Sequence, residues 1–83
     1  MFILYTLSVL SGVAIHRQLA MCRRLKHLRD TAGYTQKSVA DYLSISQAAY
    51  SRLEKGEIEI SLTKLFALGD LYRLPTAKML EDI

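Results

Sequence analysis

Long polar side chains stand beside small ones over residues 47–55 of the chain. Gln47 and Arg52 carry several hydrogen-bond donors each, and the small residues Ala48 and Ser51 stand between them. On one face of a helix, this mixture suits entry into a narrow space and hydrogen bonding to flat polar edges. The base edges in the major groove of double-stranded DNA lie in such a space. The alternative is a helical hairpin whose polar outer face is only solvated.

Two short helices joined by a tight turn are predicted to position these side chains. Thr35 is the expected N-cap of the first helix, which covers about residues 36–43. Ser46 is the expected N-cap of the second helix, which covers about residues 47–55. Gly56 ends the second helix because glycine readily adopts the left-handed conformation.

Apolar residues at helical spacing predict which sides of the two helices face the core. Tyr50 and Leu53 point inward, and the hydroxyl of the tyrosine reaches the edge of the core. Ala40 is small because the second helix crosses close to it, and Ile45 fills the corner between the helices. Tyr34 is expected to take an inward position just before the first helix.

Three further helices complete the predicted domain. One covers residues 16–32 and ends at Gly33. The others cover residues 62–72, with Ser61 as the N-cap, and residues 76–82. A chain of 83 residues has room for about five short helices around one small core, so the sequence predicts a single all-α domain.

The order of residues over Leu25–Leu80 carries a resemblance to a known family. The matching positions are Leu28-Arg29, Thr35-Gln36, Val39-Ala40, Leu43, Ile45-Ser46-Gln47, Ser51-Arg52-Leu53-Glu54-Lys55-Gly56, Ser61-Leu62, Leu65 and Leu71. In these residues the chain resembles the lambda-repressor-like helix-turn-helix domains of the Cro and XRE type. The resemblance implies a five-helix lambda-repressor-like DNA-binding domain, here with an apolar N-terminal extension.

The resemblance also implies roles for single residues. Arg29 and Glu54 would form a partly buried ion pair that clamps the first helix of the domain to the third. Gln36 would lie against the DNA backbone and brace Gln47. Ser44 stands where the family usually has a glycine with positive φ, a conformation that costs a serine roughly 1 kcal/mol. The last helix often carries the dimer contact in this family.

Basic residues are concentrated around the predicted helix pair. The whole chain has a formal charge of +3, but from residue 16 to residue 55 eight lysines and arginines stand against three acids, a net of +5. This concentration favours phosphate binding, although a solvated basic face would look the same. Arg23, Arg24 and Lys26 are expected to face solvent, where they could touch phosphates.

Phosphate contacts are predicted for Gln36, Lys37 and Lys55. The loop that follows the second helix of the pair carries Glu57 and Glu59, which DNA would repel. We therefore expect these glutamates to face away from DNA, or the loop to make no contact with the DNA backbone.

Residues 1–15 form an uncharged apolar extension ahead of the domain, which covers residues 16–83. The extension is interpreted as a packing or dimerising element, or as an upstream extension of an open reading frame that naturally starts at Met21. A helix of this length spans about 22 Å, short of the ~30 Å hydrocarbon core, which makes a membrane anchor a weaker alternative. A signal peptide is disfavoured because no basic region precedes the apolar run.

The sequence contains no arrangement typical of an enzyme, a metal site or a cofactor site. His16 and His27 are eleven residues apart, too far to bind one metal ion, and no third ligand has a suitable spacing. The single Cys22 cannot form an internal disulfide, so a reducing compartment, the cytoplasm, is expected.

These features predict a sequence-specific double-stranded DNA-binding transcriptional regulator that acts as a dimeric repressor. Arg52 would recognise guanine, Gln47 adenine and Ala48 a thymine methyl group, while Ser51 would add a weaker polar contact. Two alternatives remain open. The chain could be the antitoxin of a toxin–antitoxin pair, which also binds a protein partner, or a protein–protein adaptor that has lost DNA binding.

Overall fold

The molecule is built from five α-helices. The computed structural model describes the backbone of residues 2–83 and the side chains of residues 12–83. The helices in chain order are α1 (Phe2–Ala32), α2 (Gln36–Tyr42), α3 (Gln47–Glu54), α4 (Leu62–Tyr72) and α5 (Thr76–Met79). Residues 2–83 contain no β-strand, and the predicted all-α, five-helix fold is confirmed.

Side-chain hydroxyl groups fix the starts of three helices. Thr35 Oγ1 accepts a hydrogen bond from the backbone N–H of Ser38 at 3.1 Å, at the start of α2. Ser46 and Ser61 do the same for α3 and α4, at 3.1 and 3.2 Å. Each hydroxyl satisfies one backbone N–H group that has no partner inside its helix, so the three predicted N-caps are confirmed.

The observed ends of α1 and α4 agree with the sequence predictions, whereas the end of α5 does not. Gly33 ends α1 with φ 79°, as predicted. Helix α4 ends at Tyr72, as predicted, and its C-cap Arg73 takes the left-handed conformation with φ 56°. Helix α5 ends at Met79 instead of residue 82, because residues 80–82 form a turn in which Asp82 has φ 63°.

Helix α1 begins upstream of the predicted start at residue 16. Its backbone runs from Phe2 without interruption, and among the side chains of residues 12–32 the first buried one is Met21, whereas those of residues 12–17 are exposed. Residues 1–15 were predicted to serve as a packing or dimerising element. The side chains of residues 1–11, on which this prediction depends, lie outside the described residues. Over residues 2–83, none of the helices combines the length and the apolar character that crossing a membrane requires.

One hydrophobic core joins all five helices. Its largest fully buried side chains are Tyr50, Leu25, Leu53, Leu68, Met79 and Val39. Ala40 is completely buried where α2 meets α3, and Ile45 packs against the core from the turn, both as predicted. The inward position predicted for Tyr34 is wrong, because the residue is 40% exposed and its ring lies beside that of Tyr72, with the centroids 6.2 Å apart.

Candidate functional site

Helix α3 presents the residues that the sequence predicts to contact bases. Gln47, Ala48 and Arg52 are exposed, and Ser51 is half-buried beside them. Tyr50 and Leu53, on the opposite side of the helix, are buried to 0% and 2% exposure. The helix is therefore held to the core by one side and leaves the other side free along its length, so it can be inserted into a groove.

The turn between α2 and α3 fixes the angle at which α3 leaves the domain. Ser44 has φ 59°, the left-handed conformation that its position in the predicted turn requires. The backbone N–H of Ile45 donates a hydrogen bond to the carbonyl oxygen of Ala40 at 3.0 Å, which closes the turn. This conformation costs a serine about 1 kcal/mol of stability. The packing of Ile45 against the core in the same turn offsets this cost.

A buried ion pair joins α1 to the end of α3. Arg29 Nε donates to Glu54 Oε1 at 2.6 Å, and Arg29 Nη2 lies 3.3 Å from Glu54 Oε2. Arg29 Nη1 also donates to the carbonyl oxygen of Tyr34 at 3.0 Å. The two side chains are only 11% and 4% exposed, so water screens the attraction between them weakly. This bidentate pair holds the far end of α3 against α1.

Gln36 also contributes to this buried cluster. Its side-chain nitrogen donates to Glu54 Oε2 at 3.0 Å, whereas the sequence predicted that Gln36 would brace Gln47. Burial by itself would raise the pKa of Glu54, but the hydrogen bonds from Arg29 and Gln36 outweigh burial and hold the pKa below its usual range. Glu54 therefore stays ionised at neutral pH. Its hydrogen bond fixes the side chain of Gln36, the first residue of α2.

The hydroxyl group of Tyr50 lies in the core and does not reach its edge as predicted. Within the described residues, neither this hydroxyl nor that of Tyr72 has a hydrogen-bond partner. Burial raises the pKa of Tyr50 far above its usual range, so the hydroxyl remains protonated. A buried hydroxyl without a full hydrogen bond is unfavourable, and the nearby carboxylate of Glu54 also raises the pKa of Tyr50.

Three cations surround a recess beside α3. The recess has a volume of about 350 Å³ and is lined by Leu19, Arg23, Lys26, Gln36, Ser51, Glu54 and Lys55. We call it the basic recess. It brings two of the predicted phosphate contacts, Gln36 and Lys55, together with Arg23 and Lys26 of α1. Because Glu54 is already neutralised by Arg29, an anion in the basic recess would meet net positive charge.

Two other basic residues have partners of their own. Lys37, a predicted phosphate contact, is exposed and lies 3.0 Å from Asp41 one turn further along α2. Arg24 was expected to face solvent, but its Nη1 donates to the carbonyl oxygens of Met79 and Glu81 near the end of the chain. Nothing in the local sequence around Arg24 signals this contact, because its acceptors are backbone atoms 55 and 57 residues away.

The loop after α3 is folded back onto the helix. Glu57 Oε2 lies 3.4 Å from Arg52 Nε, and both side chains are more than half exposed. The sequence predicted only that Glu57 avoids DNA, and it did not predict this pair. A signal was available, because a glycine that ends a helix commonly places the residue after it next to the residue five positions earlier.

Within the described residues, no group of three histidine, cysteine, aspartate or glutamate side chains is placed to hold a metal ion. Cys22 is buried against the core, and burial raises the pKa of its thiol. A protonated, buried thiol is a poor nucleophile and a poor metal ligand. The described polar groups of the site are thus suited to hydrogen bonding and charge pairing.

Comparison with known proteins gives two findings. Residues 25–79 match the family model described as helix-turn-helix. The chain is also 34% identical, over 58 residues, to the SPbeta prophage-derived uncharacterized HTH-type transcriptional regulator YonR of Bacillus subtilis (strain 168). That alignment covers 70% of this chain and 54% of the relative, so the chain spans about half the length of the protein it matches. The family match includes every residue predicted to contact bases and the phosphate contacts Gln36, Lys37 and Lys55, but it begins after Arg23 and Arg24.

Proposed function

The chain belongs to the helix-turn-helix family, and from that premise we propose that it is a sequence-specific double-stranded DNA-binding transcriptional regulator. The observation that supports this most strongly is the free face of α3, where Gln47, Ala48 and Arg52 are exposed on a helix whose other face is fixed in the core. A rigid helix with exposed hydrogen-bonding groups and little bulk fits the major groove. The relative named above carries the description of a transcriptional regulator, which agrees with this proposal.

Each residue on the free face of α3 has a proposed target. Arg52 donates two hydrogen bonds to the O6 and N7 atoms of a guanine, and Gln47 pairs with an adenine through its amide. Ala48 contacts the methyl group of a thymine, and Ser51 adds a weaker polar contact. These contacts supply sequence discrimination because the major groove presents a different pattern of groups for each base pair.

Phosphate contacts position α3 in the groove. Lys37 and Lys55 are exposed and flank the helix pair, and Gln36 opens α2 beside the basic recess. The hydrogen bond from Gln36 to Glu54 uses its side-chain nitrogen, which leaves its backbone N–H and its position at the start of α2 available to a phosphate. Such contacts fix the register of the protein and add affinity for any DNA sequence.

We further propose that two copies bind together and repress transcription. A helix of eight residues reads only a few base pairs, and two copies related by a two-fold axis double the sequence that is read. Leu80, which follows α5, is 44% exposed, so the last helix offers an apolar contact for a second copy. A dimer seated on a promoter represses by occupying DNA that the polymerase needs.

One observation favours a second candidate, the protein–protein adaptor. Leu62 and Phe66 lie one turn apart on α4 and are 69% and 53% exposed. Exposed apolar side chains at this spacing are common in surfaces that bind another protein. Such a surface is compatible with DNA binding through α3, so the adaptor becomes the better description only if α3 does not bind a defined sequence.

The test of the proposed function is a binding selection from random duplex DNA with the full chain, followed by sequencing of the recovered sites. An inverted repeat with half-sites about one helical turn apart is the expected result. Recovery of no common sequence, together with binding that disappears at moderate salt, would reject sequence-specific recognition and leave only attraction to phosphates.

Arg52→Ala tests the assignment of a single base contact. Loss of a bidentate contact to guanine is expected to weaken binding to the selected site by about 1–3 kcal/mol and to relax the preference at one base pair. The dissociation constants for the selected site and for its single-base variants measure both effects. Lys37→Ala is the control, since it should weaken binding to all these sequences alike. An equal loss on every sequence for Arg52→Ala would contradict the proposed base contact.

A further inference from the structure

The C-terminus of α3 is closed by a tight backbone motif. Gly56, with φ 77°, donates its N–H to the carbonyl oxygen of Leu53 at 3.1 Å. The backbone N–H of Glu57 donates to the carbonyl oxygen of Arg52 at 2.9 Å. This pair of bonds defines the Schellman motif, in which the second residue beyond the helix lies over the last turn. The backbone position of Glu57 next to Arg52 is therefore fixed by the end of the helix itself.

In this motif the two residues brought together usually make an apolar contact. Here they are Arg52 and Glu57, and an ion pair replaces the apolar contact, with Arg52 Nε 3.4 Å from Glu57 Oε2. Both side chains are more than half exposed, so the pair adds little to the stability of the fold. Its main effect is to orient the guanidinium group of Arg52, because the ion pair restrains a long flexible side chain at its Nε atom.

The contact with Glu57 determines which donors of the Arg52 guanidinium group remain available for other hydrogen bonds. A guanidinium group donates from its Nε edge and from the end that carries Nη1 and Nη2. Glu57 lies at Nε, which leaves the Nη1 and Nη2 end open. Two parallel donors at that end match the O6 and N7 acceptors of guanine in the major groove.

We propose that Glu57 is a specificity-determining residue, which holds Arg52 by its Nε edge so that the Nη end meets a guanine. This inference rests on the proposed function and extends it to a residue that does not itself touch a base. Glu57 raises the discrimination of the site in two ways. It orders the Arg52 side chain before binding, and its negative charge disfavours the alternative in which Arg52 turns to a phosphate.

A matched control lies two residues away. Glu59 stands in the same loop, carries the same charge and is exposed. Among the ion pairs of the described residues, none involves Glu59. Truncation of either glutamate to alanine removes one negative charge near DNA, so both variants share any gain in general affinity. They differ only in the loss of the contact to Arg52.

The test is a set of binding measurements on the full chain with the site recovered by the selection. The base pair read by Arg52 is the one whose preference is relaxed in Arg52→Ala. The discrimination ratio is the dissociation constant for a site changed at that base pair divided by the constant for the intact site. Glu57→Ala is expected to lower this ratio about two- to fivefold, since an exposed ion pair can order one side chain by no more than its own small interaction free energy. Glu59→Ala should leave the ratio unchanged.

A double-mutant cycle completes the test. In the Arg52→Ala background, Glu57→Ala should no longer alter the ratio, because there is no guanidinium group to orient. An unchanged ratio in Glu57→Ala, or an equal change in Glu59→Ala, would overturn the inference while the proposed function stands. A wild-type chain that recovers no common sequence would instead reject the proposed function, and this inference with it. Thermal melting of each variant verifies that the fold is retained.

Discussion

The most constrained polar group in the molecule is the carboxylate of Glu54. It accepts hydrogen bonds from Arg29 on α1 and from Gln36 on α2, while it belongs to α3 itself. One side chain thus ties three helices together at the level of single atoms. A buried pair of this kind contributes little compared with an apolar replacement of equal shape, but removing one partner is costly because the other charge is left buried.

Glu54→Gln is expected to lower the free energy of unfolding by about 3 kcal/mol at pH 7, since Arg29 loses its counter-charge. The pKa of Glu54 is depressed in the folded state. The stability that it contributes is therefore present above the pKa of an unfolded glutamate, near 4.3, and is lost as the pH falls through the lower folded value. Denaturant unfolding of both proteins across this range should show the loss in the wild type and a flatter dependence in Glu54→Gln.

Asp41→Asn is the matched control for this experiment. Asp41 forms an ion pair with Lys37, but its side chain is 65% exposed, and exposed pairs contribute at most about 1 kcal/mol. A loss in Glu54→Gln no larger than that in Asp41→Asn would show that the buried cluster does not clamp the helices.

Among the connecting elements, the turn between α2 and α3 is one of those that place a non-glycine residue at positive φ. Ser44 is exposed and has φ 59°, so its side chain gains little from packing and the backbone conformation is unfavourable. Ser44→Gly should raise the free energy of unfolding by about 1 kcal/mol, which corresponds to an increase in Tm of about 4–8 °C for a domain of this size. Differential scanning calorimetry measures the change.

Ser38→Gly provides the comparison, because Ser38 lies inside α2 in the ordinary helical conformation. There glycine should lower stability by roughly 1 kcal/mol, since it adds freedom to the unfolded chain and removes the hydrogen bond that Ser38 Oγ donates to the carbonyl oxygen of Thr35. If both substitutions lower Tm, the positive φ of Ser44 is not a source of strain.

The elements that the sequence predicts well are those with local signals. The caps Thr35, Ser46 and Ser61 each bond to an N–H three residues along the chain, so a short window of sequence contains the whole interaction. The ends at Gly33 and Gly56 follow from a residue that adopts positive φ without cost. The residues of the free face of α3 follow from helical spacing, once the buried side that includes Tyr50 is identified.

Partners distant in sequence were harder to predict. The acceptors of Arg24 are backbone carbonyls at the end of the chain, which carry no signature of their own. Gln36 has one amide and several possible partners, and only the folded position of Glu54 selects between them. The buried hydroxyl of Tyr50 was missed because the depth of the core below α3 depends on how α1 and α4 meet, which periodicity does not describe.

At the scale of the whole molecule, three of the eleven lysines and arginines lie together where α1 passes α3. The basic recess places Arg23 and Lys26 of α1 next to Lys55 at the end of α3. If DNA occupies the free face of α3, the phosphates of the adjoining strand lie closest to these cations. The affinity should therefore fall steeply with salt, by about 0.9 units of log affinity per unit of log salt concentration for each phosphate contacted.

Lys26→Ala should reduce the magnitude of this salt dependence by about 1 and weaken binding to specific and random DNA alike. The measurement is a series of dissociation constants over a range of salt concentrations. Lys78→Ala is the control, because Lys78 lies on α5, does not line the basic recess and is paired with Glu81. Equal salt dependence in the wild type and in Lys26→Ala would show that α1 stays clear of the DNA backbone.

The bond from Arg24 to the carbonyl oxygens of Met79 and Glu81 has a consequence for the order in which the molecule comes apart. An exposed turn such as residues 80–82 ordinarily opens more readily than the core. Here the guanidinium group of Arg24 bonds to backbone carbonyl oxygens at and just before this turn, which attaches the turn to α1. Opening of residues 80–82 then requires release from α1, and we expect their amide protons to exchange with solvent more slowly than those of an unattached turn.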